Sequence, residues 1–119
     1  GIRQLTADQT LVAREIAAGR LTPEQAETDS RRSVLLQCVG ASPVVEPDFI
    51  AGDIVAGAHY MLCSDGFRHK ITNEEIVDKI GPGACSTEEE MENGCKFLTE
   101  LVKYRKETDN VTVVLVKTE

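Results

Sequence analysis

Two apolar runs, each meeting a carboxylate at one end, constrain this chain more than any other feature. Tyr60, Met61, Leu62 and Cys63 form a compact apolar run that stops abruptly at Ser64, Asp65 and Gly66. Val111–Val116 is nearly all apolar and follows directly on Asp109 and Asn110. Short apolar runs bounded by turn residues read as buried strands, and the second, lacking polar alternation, reads as a central one. Between them lie two helix-start signals. Thr72 and Glu75 have the spacing of a capping box, for a helix carrying Ile76, Val77 and Ile80 and closed by Gly81, Pro82 and Gly83. Thr87 and Glu90 repeat the device and open a longer helix. Its apolar face is Met91, Cys95, Leu98, Leu101 and Val102, with Lys103, Arg105 and Lys106 near its negative end.

The first half is less regular. Thr10 precedes a helical stripe of Leu11, Val12, Ile16 and Ala17 that Gly19 stops. Thr22, Pro23 and Gln25 then cap, start and brace a second short helix ending near Thr28. Ser33–Val39 is apolar but too short for its length to separate a helical turn from a strand. Phe49, Ile50, Ile54 and Val55 are expected to form short strands among the Gly, Pro and Asp residues of Gly40–Gly57. Strands, then helices, then a last strand define an α/β or α+β layer pattern, with helices covering a sheet.

Composition excludes several function classes. With 119 residues the chain is one domain or part of one, and no run approaches the ~20 apolar residues of a membrane span. Thirteen Lys and Arg against 20 Asp and Glu leave a net charge of −7, which repels polyanions, so no nucleic-acid partner is expected. Cys38, Cys63, Cys85 and Cys95 contain no close CxxC pair and read as reduced small hydrophobes in a cytoplasmic chain. His59 and Cys63 lie four apart in a strand, a spacing that makes no helical metal pair. Arg68, His69 and Lys70 make a small basic spot after the Asp-Gly step.

Asp65 and Asp109 are the chemically suggestive pair. Paired carboxylates at the rim of a sheet suit Mg²⁺ or Mn²⁺, which take oxygen ligands and water. Gly66 would let the backbone turn tightly beside an ion, and Asn110 stands next to the second carboxylate. The same residues also serve ordinary turns, and composition and spacing leave both readings open.

The strings themselves carry a resemblance. YMLCSDG, Tyr60–Gly66, resembles the LLCSDG signature of the PP2C-type metal-dependent protein serine/threonine phosphatases, and TDNVTVVLV, Thr108–Val116, resembles that family's DN signature and terminal strand. EIVDKI (Glu75–Ile80) lies between them as in the family. LTADQTLVAREIAAGRLTPEQA (Leu5–Ala26) resembles the stretch leading into the flap region, and RRSVLLQCVG (Arg31–Gly40) its continuation. Gln9, where the family usually has His, and Cys38, where a small residue is more usual, depart from the pattern. The resemblance runs over about residues 5–117, in order, and is to the C-terminal half of the family's catalytic domain. It implies that residues 1–119 are a portion of one such domain, with a flap-like region within 5–48, and a partial layered β-sandwich flanked by helices.

By the same resemblance, Asp65 and Asp109 are carboxylates of a binuclear Mn²⁺ or Mg²⁺ centre, and act in catalysis through its activated water, with Gly66 and Asn110 in support. The family's DGMGG-like acidic motif, its phosphate-gripping Arg and its GDSR-like segment have no counterpart in these 119 residues. The implied function is therefore part of a phosphatase acting on phosphoserine and phosphothreonine of phosphoproteins, with weak or absent metal binding and no normal turnover in the 119-residue chain alone. The partners expected are the phosphoprotein, the other half of the domain, or a second copy pairing with uncovered strands. The alternative is a non-enzymatic phosphatase-like module that binds a protein partner.

Overall fold

The computed structural model of the chain describes residues 1–119. It divides into two compact units, one of Arg3–Ala51 and one of Gly52–Glu119 with Gly1–Ile2. No helix is long and apolar enough to cross a membrane.

The Arg3–Ala51 unit is held by local devices more than by a core. Helix α1, Leu11–Ala17, begins at Thr10, whose hydroxyl accepts the Ala13 N–H at 3.1 Å. It ends where Gly19 takes φ +74°, so that the Gly19 N–H reaches the Ile16 carbonyl and the Arg20 N–H that of Glu15. Helix α2, Pro23–Thr28, starts in a complete capping box of Thr22 and Gln25. Only Val12 and Ala26 of this unit are buried. The apolar run Ser33–Val39 is neither helix nor strand. It contributes a single antiparallel bridge, Thr10 to Leu35, flanked by bonds from Leu11 N–H to Val34 O and from Leu36 N–H to Gln9 O, both 2.9 Å.

The expected strands around Phe49, Ile50, Ile54 and Val55 do not form. Phe49 is 92% exposed and the other three also face solvent. A strand persists only where a neighbour takes up its N–H and C=O groups in a continuous ladder, and here Val55 makes single bonds to the Tyr60 and Thr118 hydroxyls and the Ala58 N–H rather than a ladder.

The Gly52–Glu119 unit carries the core. Strands β1, His59–Cys63, and β2, Val113–Lys117, pair antiparallel with Tyr60 opposite Val116, Leu62 opposite Val114 and Cys63 opposite Val113. After β1 come α3, Asp65–Arg68, α4, Asn73–Ile80, and α5, Glu88–Tyr104. Thr72–Glu75 and Thr87–Glu90 both form complete capping boxes, as the spacing predicts. One cluster of Phe67, Ile71, Ile76, Ile80, Cys85, Leu98 and Val102 fills the space under the sheet, joined by Met61, Val113 and Leu115 from its inner face. Phe67, Leu98 and Val102 are wholly buried, and each side chain contributes about 1.5–3 kcal/mol by leaving water.

Two strand assignments change. The last strand is not central: Val114 and Val116 are exposed, while Val113 and Leu115 turn inward. The first is not buried either, since Leu62 is 64% exposed. Both follow from a two-stranded antiparallel sheet, in which alternate residues point to opposite faces and the helices pack on one of them. All four cysteines are free, but Cys85 alone is fully buried, and Cys38 and Cys63 are exposed rather than core residues.

Candidate metal-ligating rim

The two carboxylates stand where antiparallel pairing must put them, at the end of β1 and the approach to β2. Beyond the Cys63–Val113 pair the ladder continues through Ser64. Its N–H donates to Thr112 O at 3.0 Å. Its hydroxyl accepts the Thr112 N–H at 2.9 Å and donates to Asn110 O at 3.0 Å. This hydroxyl thus ties the segment entering Asp65 to the segment leaving Asp109. Ser64 is in addition the N-cap of α3, so Asp65 opens a helix rather than the simple turn an Asp-Gly step suggests.

Gly66 closes the junction. It is buried, and a Cβ on it would overlap the Asn110 carbonyl oxygen and lie 3.3 Å from Asp109 Cβ. The backbone after Asp65 therefore lies directly on the backbone of Asp109 and Asn110. Asp65 and Asp109 are both exposed at this rim, and neither side chain forms a salt bridge with a protein cation. Asp109 accepts only the neighbouring Asn110 N–H, at 2.7 Å. Both offer free carboxylate oxygens at the rim, the ligand type a hard divalent cation takes. No third His, Cys, Asp or Glu joins them as a ready-made metal cluster. Mg²⁺ is commonly held by one or two carboxylates plus water and phosphate oxygens, so the donor set fits such an ion.

The residues around the rim are engaged elsewhere. Arg68 donates to Asn73 Oδ1 at 2.8 Å through one terminal nitrogen, while its other, Nη1, is buried without a partner, and His69 Nδ1 lies 3.2 Å from Glu107 Oε2. His59 Nδ1 contacts Ile80 O at 2.7 Å, at the far end of β1 from Cys63. Although Cys63 is exposed as a residue, partial desolvation of its sulfur pushes the thiol up, with Arg68 opposing and Asp65 reinforcing the shift. A separate cavity of about 550 Å³, lined by Gln9, Leu36, Gln37, Val39, Val44 and Glu46 among others, contains none of the rim residues.

Two contributors escaped the sequence reading. In the sequence Ser64 only ends an apolar run, and Glu107 carries no expectation at all. Glu107 Oε1 accepts the N–H groups of Thr108 and Asp109 at 3.0 and 3.1 Å. A carboxylate one and two residues before the amides it accepts was the available signal.

This arrangement of helices on an antiparallel strand pair superimposes on part of known phosphatase structures. The Mycobacterium tuberculosis serine/threonine phosphatase PstP/Ppp superimposes with a TM-score of 0.81 at 32% identity, over 98% of this chain and 47% of that one. The S. agalactiae serine/threonine phosphatase gives a TM-score of 0.82 at 30% identity, over 97% and 46%. In sequence, a protein of Streptococcus pyogenes described as a putative protein phosphatase 2C-type is 32% identical over 115 residues, which is 97% of this chain and 45% of that protein. No family model matches the chain. The chain thus resembles PP2C-type serine/threonine phosphatases over nearly its whole length, and it spans less than half the length of these relatives.

Proposed function

We propose that this chain is the part of a PP2C-type protein serine/threonine phosphatase that supplies two carboxylates, Asp65 and Asp109, to a divalent-metal centre. One observation carries the reading. The Ser64 hydroxyl and the Gly66 backbone bring two acidic segments onto one rim, where neither carboxylate is in a salt bridge. The relatives named as serine/threonine phosphatases support the same reaction class.

Mn²⁺ or Mg²⁺ held here would polarise phosphoryl oxygens and lower the pKa of a water. The chain's own part is placement. β1 and β2 fix the height of the two carboxylates along the sheet, Ser64 locks their register, and Gly66 sets their closeness. An exposed rim leaves the approach open to a phosphoserine or phosphothreonine on a protein substrate. Within these 119 residues two carboxylates are too few ligands for tight binding, since affinity rises with ligand number and rigidity. The chain alone is accordingly a weak Mn²⁺ binder with background-level turnover.

The test compares Asp65→Asn and Asp109→Ala with the wild type, by Mn²⁺ titration of this chain and by phosphopeptide hydrolysis in the full-length protein. Both substitutions should remove what Mn²⁺ binding the chain has. Asp65→Asn should lower turnover about a hundredfold or more at excess Mn²⁺ while leaving the melting temperature nearly unchanged. Near-wild-type turnover would return Asp65 to an ordinary turn role, whereas background-level hydrolysis by the wild-type full-length protein would favour a non-enzymatic, partner-binding module.

A further inference from the structure

Glu107 sits at the end of α5 in a position the proposed function does not use. The helix closes with Lys106 in the left-handed region, φ +64°, the Lys106 N–H reaching Lys103 O and the Glu107 N–H reaching Val102 O, at 2.9 and 3.0 Å. Glu107 is thereby anchored by its backbone to a residue of the core. Its side chain is 6% exposed and divides its two oxygens between the two halves of the rim. Oε1 accepts the N–H groups of Thr108 and Asp109. Oε2 has no hydrogen bond and faces Nδ1 of His69 at 3.2 Å. His69 is the C-cap of α3, and its N–H donates to Asp65 O at 3.0 Å. One buried carboxylate therefore touches the backbone of Asp109 and the end of the single-turn helix that Asp65 begins.

We propose that Glu107 is a positioning residue for the Asp65–Asp109 pair, holding the Asp109 peptide at a fixed place relative to α3 so that both carboxylates meet one ion. The proposal rests on the reading of Asp65 and Asp109 as metal ligands. A simple turn cap would satisfy Thr108 and Asp109 and need no burial and no contact with α3. Glu107 has both. Groups that orient a metal ligand without touching the metal typically change metal affinity ten- to a hundredfold when removed.

The experiment uses this chain, with Mn²⁺ as the probe, in wild type, Glu107→Ala, Glu107→Gln, His69→Ala and Asp65→Asn. Mn²⁺ affinity is read from the electron paramagnetic resonance of the free ion, and the Thr108 and Asp109 amides from ¹H–¹⁵N spectra without metal. Glu107→Ala should weaken Mn²⁺ binding about tenfold and move both amides to positions typical of solvent-bonded groups. Glu107→Gln keeps an acceptor at Oε1 and should recover most of the affinity and both amide shifts. His69→Ala should weaken binding in the same direction but less, and decides the matter if Glu107→Ala does not fold. Mn²⁺ binding that Asp65→Asn abolishes but Glu107→Ala leaves unchanged would overturn the positioning role and leave the ligand assignment intact. Wild-type binding that Asp65→Asn does not alter would overturn the ligand assignment, and the positioning role with it.

Discussion

Gly66 and Asn110 are packed so closely that a single methyl group on the glycine would overlap the asparagine carbonyl oxygen. That contact is one of the links between the segment carrying Asp65 and the segment carrying Asp109, beside the Ser64 hydrogen bonds. It is made by backbone on both sides, so no side-chain rotation can relieve it.

Gly66→Ala should therefore displace the Asp109–Asn110 segment rather than be absorbed. Overpacking of this kind costs about 1–3 kcal/mol. A thermal melt should show that loss, and the Asp109 and Asn110 amides should shift further than any others outside α3. A melt unchanged from wild type would mean that the two segments separate at little cost.

Gly94 supplies a test of opposite sign to propensity. In an isolated helix Gly→Ala stabilises by about 1 kcal/mol. Here a Cβ would lie 2.5 Å from Lys79 O and 2.7 Å from Ile80 Cγ2, where α5 crosses the end of α4. Gly94→Ala should destabilise by about 1–3 kcal/mol, read as a lower denaturant midpoint with an unchanged slope.

Lys106 is the reverse case. Helices α1 and α5 end in the same pair of reversed hydrogen bonds, the first with Gly19 in the left-handed position and the second with Lys106. A left-handed non-glycine residue costs about 1–2 kcal/mol, and the extra chain entropy of glycine takes back about 0.5–1. Lys106→Gly should raise stability by roughly 0.5–1 kcal/mol, or a few degrees in melting temperature.

Glu75 sets the acid response. It accepts the Thr72 N–H at 2.9 Å as the brace of its capping box and takes two bonds from Arg105, at 2.6 and 2.8 Å. The Arg105 guanidinium, followed by the Thr72 N–H, pulls its pKa down to about 2 from 4.5. A carboxyl depressed in the folded state contributes stability that is complete above its unfolded value and lost as pH falls through the folded one. Melting temperature should thus decline between about pH 4.5 and 2, beyond the decline of Glu75→Gln, which keeps the cap acceptor but has no charge to lose. Because the pair is partly exposed, added salt should shrink the difference.

What the sequence determined alone is mostly local. Thr10, Thr22–Gln25, Thr72–Glu75 and Thr87–Glu90 start helices because the bonds they make close within four residues, and the face Leu98–Val102 follows from the 3.6-residue period. The rim carboxylates were legible because each stands at an end of an apolar run, but the long helical connection between the runs permits parallel pairing as well, and the antiparallel pairing that puts both at one end came from the tertiary structure. Tertiary structure decided the rest. Phe49, Ile50, Ile54 and Val55 have the composition of strands but enter no ladder, and an apolar run cannot announce whether a pairing neighbour exists. Val114 and Val116 are as apolar as Val113 and Leu115, yet only the second pair meets the helices, since which face is covered depends on elements distant in sequence. The Ser64 stitch across 46 and 48 residues and the Glu107 carboxylate between Asp109 and His69 depend on distances that arise only when β1, α3 and the end of α5 have packed against one core.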